Sequence, residues 1–170
     1  MRRRIKMDEE LKRKIEKIYK DTEVEFPERN RMVVKTKKAS ILSILEFLKR
    51  EGFRQLKAIS CVDWIKECEF ELIYHLAPLN SPLHIMVKIR IERKNAETET
   101  ILKIFENAKV YEREIHELFG VKFKGNPDLS PLFLENWHDL PPFRKDFDTR
   151  KYVKKTFDEI PSVEDRNERT

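Results

Sequence analysis

LHIMVKIRIE, residues 83–92, alternates without a break. Ile85, Val87, Ile89 and Ile91 share one face of an extended chain, and Met86, Lys88, Arg90 and Glu92 share the other. Successive side chains of a strand point to opposite faces, so the pattern predicts a half-covered strand. A strand that is apolar on one side only suits an antiparallel sheet with one face covered. EFELIYHL at 69–76 is a neighbouring strand, joined to it through APLNSP (77–82), whose prolines bound a hairpin loop. A third strand candidate, 54–65, holds the apolar run Ala58-Ile59-Ser60-Cys61-Val62.

Helical spacing flanks these strands. Residues 8–20 place Leu11, Ile15 and Ile18 on one face, with Asp8, Glu9 and Glu10 at the favourable N-terminal end. TEVEF at 22–26 is a short strand that Pro27 should stop, and RMVVKT at 31–36 is another. Ser40 is an N-cap for a helix over 41–50, with Ile41, Ile44, Leu45 and Leu48 as its stripe and Gly52 past its end. A further helix is expected over 97–106, with Ile101, Leu102 and Phe105 in register. This order predicts an α+β fold: a mixed or antiparallel sheet with helices packed on one face, plus an extended irregular C-terminal segment. The chain divides into a sheet domain (1–110), a docking segment (111–147) and an extended or disordered tail (148–170), with Tyr152, Val153, Phe157 and Ile160 as scattered anchors.

Composition narrows the function. The 170 residues suffice for a real core. Lys and Arg number 36 against 31 Asp and Glu, interleaved throughout. That balance describes an ion-paired surface better than a nucleic-acid patch. One glutamine, with abundant lysine and glutamate, hints at a thermophile. Two cysteines spaced C-x6-C build neither a disulfide framework nor a metal cluster, and fit a reducing interior. The opening MRRRIKM lacks the apolar core of a signal peptide, and no apolar run is long enough to span a membrane.

The densest chemistry lies at 111–147, YEREIHELFGVKFKGNPDLSPLFLENWHDLPPFRKDF, with two of the three glycines and four of the eight prolines. His116-Glu117 starts a zincin-like motif, but Gly120 stands where the second histidine belongs. Glu112 and Glu114, at i and i+2, point apart on a helix and cannot act as an acid–base pair. His75 and His84 could meet across the hairpin, though without further ligands for a metal. No phosphate-cradling glycine loop or nucleophile elbow occurs. Phe119-Gly120 reads as a helix end and Gly125-Asn126-Pro127-Asp128 as a turn. A long aromatic segment of this kind needs a surface to pack on. Phe133, Trp137, Phe143 and Phe147, read as exposed, are the anchor types that interfaces favour.

At these residues the sequence resembles the hydrophilic 30 kDa subunit family of respiratory complex I. That family includes the matching subunits of membrane-bound energy-converting hydrogenases. Its signature runs Trp-x-Glu-Arg-Glu-x-x-Asp, a hydrophobic residue, Phe-Gly-Ile-x-Phe-x-Gly-His-Pro-Asp-Leu, then a Pro-Leu-Arg-Lys-Asp-Phe block. Glu112, Arg113, Glu114, Leu118, Phe119, Gly120, Phe123, Gly125, Pro127, Asp128 and Leu129 fit the first part, and Arg144, Lys145, Asp146 and Phe147 the second. Asp63 and Tyr74-His75-Leu76 match upstream, so the likeness covers about 35–148. Asn126 replaces the usual His, Glu117 the usual Asp, Phe143 a Leu, and Ser130-Pro131 an Arg pair. These departures favour an archaeal hydrogenase-type relative over an NADH dehydrogenase. The resemblance implies a chain without catalytic residues, cofactor or metal. It implies a place in the peripheral arm, on the cytoplasmic side of the membrane and touching it only through the complex. The implied partners are a NiFe-hydrogenase-like large subunit and iron–sulfur subunits. The implied contacts are Glu112, Arg113, Glu114, Phe119, Phe123, Pro127, Asp128, Trp137, Arg144, Lys145, Asp146 and Phe147.

Overall fold

The computed structural model describes residues 2–157, with side chains from residue 8 onward. Helix α1 (Arg2–Ile18) leads into the hairpin β1 (Glu23–Glu28) and β2 (Arg31–Thr36). A short 3-10 turn (Lys38–Ser40) opens α2 (Ile41–Arg50). Three long strands come next: β3 (Gln55–Trp64), β4 (Glu69–Ala77) and β5 (His84–Glu92). The chain closes with β6 (Glu97–Glu99), α3 (Ala108–Phe119), β7 (Lys122–Lys124) and α4 (Thr149–Thr156).

The main sheet has the order β1-β2-β5-β4-β3 and is mixed. The β2–β5 pair is parallel and the other pairs are antiparallel. Alternation in β5 sets its two faces as the sequence predicts. Ile85, Val87, Ile89 and Ile91 are buried, opposite Leu76, Tyr74, Leu72 and Phe70 of β4. Helices cover this face through Leu11 and Ile15 of α1, Ile41, Ile44, Leu45 and Leu48 of α2, and Ala108, Ile115 and Leu118 of α3. Full burial of one such aliphatic side chain contributes about 1.5–3 kcal/mol, so this layer holds the fold together.

The opposite face carries charge pairs: Lys88 with Glu71 at 3.3 Å, and Arg90 with Glu69 at 2.9 Å. Arg90 also lies over the Trp64 ring at 4.9 Å. His75 and His84 do meet there, stacked with centroids 5.2 Å apart. Burial keeps both imidazoles below the ordinary histidine pKa, helped at His75 by His84 and at His84 by Arg31. Among the described residues no three His, Cys, Asp or Glu are grouped to hold a metal. Nor is any helix among them long and apolar enough to cross a membrane.

Four local expectations need correcting. No helix occupies 97–106. Thr98 and Thr100 suit an extended chain, and β6 pairs in parallel with β7. The apolar spacing of Ile101, Ile104 and Phe105 is satisfied by one turn, with Phe105 N–H donating to Ile101 O at 2.8 Å. Pro27 does not stop β1, because it falls at a register irregularity on an edge strand, where its missing donor is harmless. Ser40 ends the 3-10 turn in helical geometry and makes no side-chain cap. Part of the tail is helical: Asp148 accepts from Lys151 N–H at 3.0 Å and starts α4. The rest of the expected tail, 158–170 with its Ile160 anchor, lies outside the described residues.

Candidate partner-docking segment

Helix α3 supplies the first half of the segment and orients the second. Ala108, Glu112, Ile115 and Leu118 form its buried stripe. Gly120 ends it in the left-handed conformation (φ 80°), donating to His116 O at 2.9 Å. A Cβ at Gly120 would also lie 3.2 Å from Pro141 Cγ, so glycine permits both the cap and the return of the chain. His116 Nδ1–H donates to Val121 O at 2.8 Å, which fixes its tautomer and the turn into β7.

Glu112 is fully buried, which removes it from any external contact. Its carboxylate accepts from Thr100 Oγ1 at 2.7 Å, Ile101 N–H at 2.9 Å and Asn126 Nδ2 at 2.8 Å. Burial raises its pKa although those three donors pull the other way. Glu112 therefore ties the loop before α3 to the turn after β7. Phe123 is likewise buried and belongs to the core.

The other charges of the segment mostly hold backbone. Arg113 donates to Ser130 O at 3.0 Å and Pro131 O at 2.8 Å. Glu117, four residues along the same helix face, accepts from the backbone N–H groups of Leu132, Phe133 and Leu134. Asp128 accepts from Ser130 Oγ at 2.6 Å and its N–H at 3.1 Å, and pairs with Lys109 at 3.1 Å. Those contacts, the Ser130 hydroxyl first, hold the Asp128 carboxyl far below the usual carboxylate range. Pro127 is exposed on this turn.

The second half, the Arg-Lys-Asp-Phe block, is latched to the end of the main sheet. Asp63, almost fully buried at the end of β3, takes two bonds from Arg93 at 2.9 and 3.1 Å, and Lys145 N–H at 2.8 Å. Arg93 reaches Asp146 at 2.5 Å, which lowers the Asp146 pKa, and Arg144 adds a weaker contact to it at 3.4 Å. The guanidinium groups of Arg93 and Arg144 both lie over the Phe70 ring, at 5.6 and 5.5 Å. Phe70, Phe119 and Phe143 continue as an edge-on series with centroids 6.0 and 5.7 Å apart.

Trp137 and Phe147 are half-buried rather than exposed: each packs on the other and on Tyr152 of α4. Two aromatics do face solvent, Phe133 at 63% and Phe143 at 59% exposure. Sequence reasoning named Arg113, Arg144 and Asp146 as partner contacts and expected Arg113 to lock a turn through a carboxylate, where it holds backbone carbonyls instead; it missed Arg93 and the backbone grip of Glu117. The i, i+4 spacing of Arg113 and Glu117 was the available signal. The reach from Arg93 to Asp63 and Asp146 had no local one.

Residues 34–153 match the family described as the 30 kDa subunit of respiratory-chain NADH dehydrogenase. The C subunit of the F420H2 dehydrogenase of Methanosarcina mazei is 35% identical over 146 residues, 82% of this chain and 89% of that protein. The C subunit of the NADH-quinone oxidoreductase of Paramagnetospirillum magneticum is 31% identical over 72% of this chain and 63% of its own length. The fold superposes on a chain of the membrane-bound sulfane sulfur reductase, an archaeal respiratory membrane complex, with a TM-score of 0.83. That match has 32% identity and covers 94% of this chain and 98% of the other. The trypsin-resistant fragment of Nqo5 shares the fold at a TM-score of 0.61, with 23% identity, over 70% of this chain and 98% of the fragment. The conjunction of this fold with the Glu-Arg-Glu helix and the latched Arg-Lys-Asp-Phe block places the chain in the 30 kDa subunit family of respiratory-chain NADH dehydrogenases.

Proposed function

We propose that this chain is a non-catalytic assembly subunit in the peripheral arm of an ion-translocating respiratory membrane complex. It sits on the cytoplasmic side and packs on a NiFe-hydrogenase-like large subunit, near iron–sulfur subunits. One observation carries the reading. The charged side chains of the signature grip backbone, as Glu117 does at 132–134 and Asp63 does at Lys145. They shape an irregular segment instead of converging on a reaction site. A segment built in this way is a rigid rim that turns Phe133 and Phe143 outward.

A ferredoxin-oxidising hydrogenase is the complex type that the signature's departures favour. A complex handling sulfur compounds or F420H2 is the second reading, and the likenesses to the sulfane sulfur reductase and F420H2 dehydrogenase chains support it. The two differ in the chemistry of the large subunit, not in the role of this chain. The test is affinity purification of the tagged full-length chain from detergent-solubilised membranes of its own cells. Co-elution of a NiFe-hydrogenase-like large subunit with iron–sulfur subunits is expected, and the isolated chain should be colourless. Recovery of the chain alone, or turnover by the isolated chain, would overturn the reading.

A further inference from the structure

Partly buried charges in this fold come with partners. Glu25 lies 2.8 Å from Lys35, Glu97 2.6 Å from Lys124, and Lys88 3.3 Å from Glu71. Arg113, Glu117 and Asp128 hold backbone. Glu114 breaks the pattern. Among the described residues it is the one partly buried charged side chain with neither an ion pair nor a hydrogen bond. A carboxylate that has lost part of its water without gaining a donor is a standing cost, and the rest of the molecule avoids it.

Its surroundings say what would relieve that cost. Helix neighbours at i±3 and i±4 share a face. Val110, one turn before Glu114, is 51% exposed. Glu117, one turn after, holds the N–H of exposed Phe133 at 3.0 Å. Two of the seven exposed large hydrophobic residues among those described, Val110 and Phe133, thus lie on, or are tied by backbone to, the helix face that carries this unpaired carboxylate.

We infer that the α3 face around Glu114 receives a partner subunit through an arginine or lysine that pairs with Glu114 inside an apolar contact with Val110 and Phe133. Charge complementarity selects this occupant: the carboxylate repels phosphate, whether of nucleic acid or of lipid. A second copy of the chain is the competing occupant, and a self-crosslink in the test below would reveal it. The inference rests on the assembly reading above and adds where, and by what chemistry, the contact is made.

The test uses the tagged chain in its own cells with a photo-crosslinking phenylalanine derivative at Val110, a surface position. Illumination should join it to another subunit, at a peptide carrying a basic residue. Glu114→Lys should lower recovery of that subunit about tenfold or more, with the isolated chain's Tm unchanged. An acidic residue at the crosslinked basic position should restore recovery with Glu114→Lys. If Glu114→Lys shifts the Tm, Glu114→Gln, which keeps the side chain's shape, carries the same expectation. Wild-type recovery with either variant in a correctly folded chain overturns the inference while the assembly reading stands. So does a crosslink only to a second copy, or none to another subunit while the complex is recovered. Failure of the wild-type chain to recover any subunit sinks the assembly reading itself, and this inference with it.

Discussion

Arg93→Ala tests whether the Arg-Lys-Asp-Phe block is latched as described. The substitution strips Asp63, almost fully buried, of two bonds at 2.9 and 3.1 Å and leaves it only the Lys145 N–H. Breaking one side of a buried pair costs about 3–5 kcal/mol, because the surviving charge stays out of water. The Asp146 contact adds little, since that carboxylate is more than a third exposed. Total stability of a domain is about 5–15 kcal/mol. At about 2–4 °C per kcal/mol for a chain of this size, the Tm should fall by roughly 6–20 °C. Thermal melts followed by circular dichroism read this directly, and limited proteolysis should show earlier cleavage within 141–147. Replacing both partners, Asp63→Leu with Arg93→Leu, should cost less than Arg93→Ala alone, because no unpaired charge stays buried. A Tm for Arg93→Ala within about 2 °C of wild type, with an unchanged digestion pattern, would refute the latch.

Three further outcomes can be checked. Glu117→Ala removes the acceptor for three backbone N–H groups at 132–134. It should cost about 1–3 kcal/mol and make that turn the first site of proteolysis. Phe119→Ala opens the Phe70–Phe119–Phe143 series; for this half-buried ring a loss of about 2 kcal/mol is expected in urea titrations. Asp128 has a folded pKa depressed below its unfolded value of about 3.9. Its contribution is therefore complete above that value and lost as pH falls from there through the folded pKa. Asp128→Asn should accordingly narrow its stability gap to wild type below about pH 4, which paired melts between neutral and acid pH would show.

Period and propensity made the sheet and two of the helices legible. β5 reads as a strand because alternation is a local property, and α2 as a helix because Ile41, Ile44, Leu45 and Leu48 fit one stripe. The 97–106 stretch misled because Ile101 and Phe105 are compatible both with a helix and with one buried turn. The parallel β2–β5 pairing is set by how β2 finds its neighbour across two intervening strands and α2, and no residue advertises it. At the signature segment the residue types were legible but their directions were not. Glu112 and Glu114 stand two residues apart in the same motif. One is buried among three donors and the other faces outward, a division that depends on α3's rotation against the sheet.

That division bears on how the segment can work. Residues 125–148 form no regular element in the structure, yet Arg113, Glu117 and Asp63 hold their backbone at 130–134 and 145, and Arg93 holds the Asp146 carboxylate. Ordering a free loop of this kind on binding would cost entropy at each residue. With the chain already fixed, docking a partner forgoes that cost and retains more of the contact energy. The signature's carboxylates and cations then divide into those that make the segment rigid and those whose side chains are left free, exposed Lys145 and partly buried Glu114, the latter being the one inferred above to meet a partner. Variants of the first group should weaken assembly indirectly, with a defect that shrinks on cooling as the segment reorders. A Glu114 variant should weaken it directly, with a defect that persists on cooling and narrows as salt screens the wild-type ion pair. Assembly measured across temperature and salt separates the two groups, and equal behaviour of Glu114 and Glu117 variants in both would refute this division.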